Sequence, residues 1–150
     1  MRFLRSVLGG QAIAKPAINL NALGLGFANG NEFLTLQRSI EDVGTSAYAG
    51  AARLLTNKDI LEAAARILAD EAYHVGNTRY QLVARGVNVP PVDAKDQPPS
   101  LSNFFPADSN ALAITRTPSE VLAIVYANPT PGTAGGGFFP SGVNGAIRTV

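Results

Sequence analysis

The chain's only histidine, His74, follows Glu71 by three residues in the stretch ILADEAYHVGNTRY, residues 67–80. Apolar and small side chains recur there at steps of three or four residues, which predicts a helix with one buried stripe. Glu71 and His74 fall inside that stripe, where a protein core would normally hold leucine. Because an unpaired buried carboxylate is costly, these side chains need either an ion-pair partner or a cation. The predicted stripe consists of Ile60, Ala64, Ile67, Glu71, His74, Thr78 and Leu82.

A third candidate, Glu41, lies at the edge of the apolar stripe of an earlier predicted helix. With Asn57 as the turn of a helical hairpin, Glu41 lies 16 residues before the turn, and Glu71 and His74 lie 14 and 17 residues after it. At a rise of about 1.5 Å per residue, Glu41 then falls at a height between Glu71 and His74. Two carboxylates at one level repel unless a proton or a cation lies between them. Because Glu oxygens and His nitrogens suit iron, manganese or zinc, we predict that these three residues form a metal site.

Structural ion pairs are the alternative explanation for the same residues. Glu71 could pair with Arg79 or Arg53, and Glu41 with Arg38. A lone histidine on an apolar face is also more often a core residue than a ligand. Taken one at a time, the three residues favour this alternative, but their convergence at one level with Glu-x-x-His spacing favours the metal site. The neighbouring charged residues expected on a solvated face are Asp59, Glu62, Arg66 and Asp70.

Two long helices must position these side chains. The first is predicted from about residue 31 to residue 55, with Asn29 or Asn31 as its N-cap. The second is predicted over about residues 58–85, with Gly86 as the C′ residue that ends it. Their connection is so short that the helices must be antiparallel. The first helix is expected to bury an apolar stripe of Phe33, Leu36, Ile40, Val43, Ala47, Ala51 and Leu55.

Shorter elements are predicted around the hairpin. Thr56 and Asp59 resemble a capping box at the start of the second long helix. Residues 2–10, RFLRSVLGG, are typical of a helix end stopped by two glycines, and residues 15–30 are typical of a loop. One further short helix is predicted over residues 118–127, with a threonine N-cap and a proline in its first turn.

The amino-acid composition of the chain changes after the hairpin. Residues 87–100, VNVPPVDAKDQPPS, form a proline-rich connector of extended character. In the Gly/Pro-rich tail, Phe138 and Phe139 are expected to anchor a loop onto the helices. We therefore predict an all-α helical domain over residues 1–86 and an irregular extension over residues 87–150 that packs on the hairpin or trails from it.

Composition excludes several classes of function. A formal charge of +1, with lysine and arginine scattered singly, leaves no basic stripe for nucleic acid. The absence of cysteine excludes disulfides and thiolate metal sites. No apolar run is long enough to span a membrane, and the N-terminus lacks the apolar core of a signal peptide.

The hairpin carries a family resemblance. FLTLQRSIEDVGTSAYAGAA followed by ILEAAARILADEAYHVGNTRYQLVARG resembles the second half of a ferritin-like bundle, nearest to the bacterial and plant proteins described as desiccation-related. The resemblance covers residues 1–86 and implies a four-helix bundle in which two helices each give one Glu and two give Glu-x-x-His to a dinuclear metal site. By position, Glu41 matches the lone Glu of the third helix, and Glu71 and His74 match the Glu-x-x-His of the fourth. Residues 1–10 resemble the tail of the second helix.

The resemblance implies iron or manganese, with a redox or stress role linked to oxygen or peroxide. Three of the six expected ligands have no counterpart in this chain, so the centre would be dinuclear only if another helix pair completed it. A missing N-terminal helix pair, or self-association of two hairpins about a twofold axis, would supply those ligands, and the helix-like N-terminus favours the former. The alternatives are a non-enzymatic desiccation- or stress-related structural protein and an N-terminally truncated fragment. Relatives usually carry an export signal.

Overall fold

The computed structural model describes residues 2–22, 24 and 27–150. Met1 of the predicted N-terminal helix and residues 23, 25 and 26 of the predicted loop lie outside the described residues. The described chain is all-α, as predicted, and its only β-type pairings are isolated bridges. Its α-helices are α1 (Arg2–Leu8), α2 (Gly30–Ala51), α3 (Lys58–Ala84) and α4 (Pro118–Val125).

Each of the two long helices has an asparagine N-cap. The Asn29 side chain accepts hydrogen bonds from the backbone N–H groups of Asn31 and Glu32, as one of the two predicted N-caps of α2. Asn57 is the N-cap of α3, and its side chain accepts hydrogen bonds from the backbone N–H groups of Asp59 and Ile60. The predicted capping box of Thr56 was therefore wrong by one residue, because asparagine is an N-cap at least as good as threonine.

The ends of the long helices follow local backbone rules. α2 ends at Ala51, earlier than predicted, because the chain tightens into a 3-10 turn over Ala52–Leu54 before the connection. α3 ends in the predicted glycine cap: Gly86 has φ +65° and donates to Val83 O at 3.0 Å. The N–H of Val87 donates to the carbonyl of Leu82 at 2.9 Å, which completes a Schellman motif.

The main core lies between the α2–α3 hairpin and the irregular C-terminal extension. Its buried apolar residues are Leu36, Val43, Ala64, Val75, Leu82, Val89, Leu122, Tyr126 and Phe138. The predicted stripe of α2 was wrong in part, because Phe33 is 46% exposed and Ile40 is 43% exposed. Polar residues of α2 are buried instead, among them Arg38, Asp42 and Ser46.

Two buried arginines share one carboxylate. This pairing explains why polar residues of α2 are buried while some of its apolar residues are exposed. Arg79 Nη1 of α3 donates to Asp42 Oδ2 at 2.8 Å, and Arg38 Nε of α2 lies 2.7 Å from the same oxygen. Arg38 also donates to Asp96 in the extension, and Arg79 Nε donates to the carbonyl of Phe104 at 2.6 Å. The extension therefore covers the polar face of the hairpin because it supplies the partners that buried guanidinium groups need.

A second ion pair, within the extension, holds the arginine that contacts α2. Arg116 donates twice to Asp93, at 2.8 and 2.7 Å, and once to the Ser46 hydroxyl at 2.8 Å. The hydrogen bonds from Arg116 lower the pKa of Asp93 below its ordinary value. The backbone passes so close here that a Cβ on Gly50 would lie 2.0 Å from the carbonyl oxygen of Arg116. Glycine is therefore required at this contact.

The end of the extension folds back on its own helix, α4. Thr117 and Glu120 form a capping box on α4, which ends at Val125. Phe138 is buried and donates its N–H to the carbonyl of Val125 at 2.8 Å, whereas Phe139 is half-buried. In the part of the chain that the structure describes, no helix combines the length and apolar character needed to cross a membrane.

Replacing Asp42 should destabilise the fold strongly. Asp42→Ala leaves Arg38 and Arg79 buried without their shared carboxylate, which costs about 3–5 kcal/mol of unfolding free energy. Glu62→Ala is the control, because its pair with Arg66 at 3.7 Å lies on the surface and contributes less than about 1 kcal/mol. Urea denaturation measures both, and equal losses in the two variants would contradict this account.

Candidate metal centre

The hairpin brings the three candidate ligands together. Glu41 lies on α2, and Glu71 and His74 lie one turn apart on α3. One donor atom from each lies within 4.8 Å of the other two. The ion pair between Asp42 and Arg79 lies on the other side of the contact between α2 and α3. It fixes the antiparallel register that brings the three residues together. The three side chains therefore meet at one level, and their role as ligands stays a prediction.

The cluster lies at the rim of the hairpin. The Glu41 side chain is 18% exposed, Glu71 is half-buried, and the His74 side chain is 51% exposed. The prediction that His74 belongs to a buried stripe was therefore wrong, because α3 turns His74 away from the covered face of the hairpin. A site at this rim is open to solvent and to ions.

The two nearest charged groups to His74 are both carboxylates. Its Nδ1 lies 3.5 Å from Glu41 Oε2, and its Nε2 lies 4.0 Å from Asp70 Oδ2. Asp70 is 72% exposed, as expected for the solvated face. The surroundings of the imidazole are thus negative, which favours a bound cation.

The arginines proposed as alternative partners are occupied elsewhere. Arg38 and Arg79 both contact Asp42 and not the candidate glutamates. Arg53 is exposed, and among the residues described no arginine forms an ion pair with Glu71. Structural ion pairs with arginine therefore do not explain why these carboxylates lie together.

A shared proton holds the two glutamates together when no cation is bound. The hydrogen bond with Glu41 raises the pKa of Glu71 to about 7, and burial and the charge of Glu41 act in the same direction. His74 has the opposite, smaller effect on this pKa. Near neutral pH the pair therefore holds a proton at a position where a cation could take its place.

A glycine and a tyrosine of α2 border the cluster. Gly44 and Tyr48 lie on the same face of α2 as Glu41 and are partly buried. A Cβ on Gly44 would lie 3.6 Å from Glu71 Oε2, which is ordinary contact. Burial, and then the charge of Glu71, raise the pKa of the Tyr48 hydroxyl. A neutral phenol group therefore borders the carboxylates.

The donor set fits a divalent transition metal. With metal–ligand distances of about 2.0–2.2 Å, ligand atoms around one ion lie about 3–4 Å apart. Donor atoms within 4.8 Å of one another need only small side-chain adjustments to reach that spacing. Two carboxylates and one imidazole match iron or manganese in charge and ligand type.

Comparison with protein families places part of the chain in a known family. The family model of the ferritin-like domain matches residues 1–84, which include all three candidate ligands. No curated protein and no solved structure matches the chain significantly. The matched segment is more than half of the 150 residues, and it ends where α3 ends.

The pH dependence of stability should report the shared proton. The pKa of Glu71 rises from its ordinary 4.5 to about 7 in the folded, metal-free protein. Its stabilising contribution is therefore fully present below pH 4.5 and is lost as pH rises through about 7. Glu71→Gln should flatten the decline in unfolding free energy between these pH values.

Denaturant titrations of chelator-treated protein at intervals between pH 4.5 and 8 measure this effect. The exposed Glu62→Gln is the matched control and should keep the wild-type pH dependence. Parallel curves for wild type and Glu71→Gln would show that no proton is shared at this position.

Proposed function

Because the chain belongs to the ferritin-like domain family, we propose that it binds iron or manganese through Glu41, Glu71 and His74. The observation that carries this proposal is the convergence of three donor atoms within 4.8 Å on two different helices. The proposal is supported by the raised pKa of Glu71, because two carboxylates this close need a positive charge or a proton between them.

Each residue has a distinct role in this proposal. Glu41 contacts both of the other residues, so its carboxylate would be the central ligand. Glu71 would hold the ion through its carboxylate, and His74 would hold it through a ring nitrogen. When bound, iron or manganese would supply redox chemistry with oxygen or peroxide.

The protein's own contribution begins with proton release. Glu71 holds a proton through its hydrogen bond with Glu41, and this proton must leave before a cation can bind both carboxylates. The carboxylate of Asp70, 4.0 Å from His74 Nε2, adds negative charge beside the ring. Metal affinity should therefore rise with pH across neutrality.

Three ligands leave coordination positions open. The surface of α2 also exposes Phe33 and Ile40, and exposed apolar residues are suited to packing against further helices. We infer that another helix pair, or a second copy of the chain, supplies the remaining ligands of a dinuclear centre there. A role in desiccation or oxidative stress is consistent with this chemistry and belongs to the same proposal.

A structural role without metal is the second candidate function. The half-exposed His74 contacts Glu41 at 3.5 Å, and the Glu41–Glu71 pair already shares a proton. These contacts give each of the three side chains at least one polar partner without any metal ion. In that case the hairpin would be a stress-related scaffold that performs no redox chemistry.

Metal titration tests whether the three residues are metal ligands. We expect Mn²⁺ or anaerobic Fe²⁺ to bind wild type more tightly than Glu41→Ala, Glu71→Gln or His74→Ala by more than about tenfold, the range seen when even an outer partner of a metal site is lost. Isothermal titration calorimetry with metal analysis measures the affinities. Glu62→Gln, an exposed glutamate on α3, should bind like wild type. Uptake by wild type no greater than by Glu41→Ala would exclude the site.

Thermal stability separates the two candidate functions. A bound metal raises the Tm of the native state by mass action, and a chelator should reverse that rise. The increase should be absent in His74→Ala. A Tm that neither metal nor chelator changes in wild type would favour the structural role.

A further inference from the structure

The chain contains two Asn-Gly dipeptides, Asn29–Gly30 and Asn144–Gly145. An asparagine side chain can be attacked at Cγ by the backbone nitrogen of the next residue, which closes a succinimide ring. Glycine favours this attack, because it has no side chain to shield its nitrogen and its backbone adopts conformations that other residues avoid. The structure places these two identical dipeptides in very different surroundings.

The Asn29 side chain is held in place as the N-cap of α2. Its Oδ1 accepts from the N–H groups of Asn31 at 3.1 Å and Glu32 at 3.0 Å, and its Nδ2 donates to Glu32 Oε1 at 2.8 Å. Gly30 is the first residue of the helix. Attack by the Gly30 nitrogen requires Asn29 to leave the cap and its three hydrogen bonds, so the fold protects this asparagine.

Asn144 lies in an exposed, irregular part of the extension. Within the described residues its side chain makes a single hydrogen bond, from Nδ2 to the carbonyl oxygen of Ala14 at 2.7 Å. The Gly145 N–H has no hydrogen-bond acceptor among those residues. Gly145 has φ +111°, a backbone conformation open mainly to glycine. Only one exposed hydrogen bond therefore opposes the approach of Asn144 Cγ to the Gly145 nitrogen.

We propose that Asn144 is a site of spontaneous deamidation whose product releases the N-terminal segment, residues 12–20, from the extension. In the first step the Gly145 nitrogen bonds to Asn144 Cγ, the Cγ–Nδ2 bond breaks, and ammonia leaves with the proton of the Gly145 N–H. In the second step water adds to one of the two imide carbonyls and opens the ring to aspartate or isoaspartate. Water is the only co-reactant, and no group is oxidised or reduced.

The contact at Asn144 joins the extension to the N-terminal segment. The Asn144 amide donates to Ala14, and a Cβ on Gly145 would lie 3.7 Å from Ile13 Cγ2, so the two parts of the chain are close here. Deamidation replaces the donating amide by a carboxylate, which has no N–H and repels the Ala14 carbonyl oxygen. Isoaspartate also inserts a methylene into the backbone. Both products therefore remove the hydrogen bond to Ala14.

A second hydrogen bond holds the same segment to the extension. The N–H of Asn19 donates to the carbonyl of Phe138 at 2.8 Å, and Phe138 is buried. Loss of the contact at Ala14 makes this bond open more often, so the Asn19 amide reports the release. None of these residues is a candidate metal ligand, and the inference does not depend on the proposed metal site.

Deamidation is measured by incubating the full chain at mildly alkaline pH and mapping its peptides by mass spectrometry, with electron-transfer fragmentation to identify isoaspartate. Each rate is divided by the rate of the same site in guanidinium-unfolded protein, which removes the effect of neighbouring residues. We expect the corrected rate of Asn144 to exceed that of Asn29 by more than about fivefold, the factor that corresponds to the free energy of a typical N-cap. Corrected rates that are equal, or higher at Asn29, would overturn the proposal.

Asn144→Asp represents the aspartate product and tests the release. Hydrogen exchange followed by NMR should be faster at the Asn19 amide by about threefold to tenfold, the effect of one neutral hydrogen bond. The wild-type chain should show the same increase once Asn144 has deamidated.

Asn128→Asp is the matched control, because it adds the same charge to the extension while its side chain still accepts from the Thr130 N–H. Its Asn19 amide should exchange like that of wild type. Unchanged exchange at Asn19 in both Asn144→Asp and the deamidated wild-type chain would overturn the release.

Discussion

The carboxylate of Asp42 is the contact on which the arrangement of this molecule depends. It accepts a hydrogen bond from Arg79 of α3 and forms an ion pair with Arg38 of α2, and both arginines are buried. Arg38 also pairs with Asp96 of the extension. Because buried guanidinium groups cannot be left unpaired without large cost, this network fixes both the register of the hairpin and the face that the extension covers. The hairpin face next to it, which carries Glu41, is consequently turned outward.

That orientation explains the properties of the candidate metal centre. Glu41 and Asp42 are consecutive in the sequence, yet one carboxylate is neutralised by arginines and the other contacts Glu71 and His74. Arg38 and Arg79 pair with Asp42, so neither of them neutralises the cluster of Glu41, Glu71 and His74. A proton compensates for this near neutral pH, and a metal ion can replace it.

Sequence reasoning predicted the local structure well because local rules decide it. Helical spacing, the glycine cap at Gly86 and the turn at Asn57 were sufficient to place three candidate ligands at one level. The burial of side chains was harder to predict. Periodicity assigned Phe33 and Ile40 to the core because they are apolar, but both are exposed. The buried Arg38 of α2 depends on Asp96, 58 residues later in an irregular segment, and no local pattern indicates such a pairing.

Metal binding by Glu41, Glu71 and His74 is the central claim, and a crystal structure of the protein equilibrated with Mn²⁺ tests it most directly. Anomalous diffraction locates manganese without reference to the expected ligands. The account predicts a peak with carboxylate oxygens of both glutamates and a ring nitrogen of His74 at about 2.0–2.3 Å. An anomalous map without a peak at these residues, with the Glu41–Glu71 hydrogen bond retained, would contradict it.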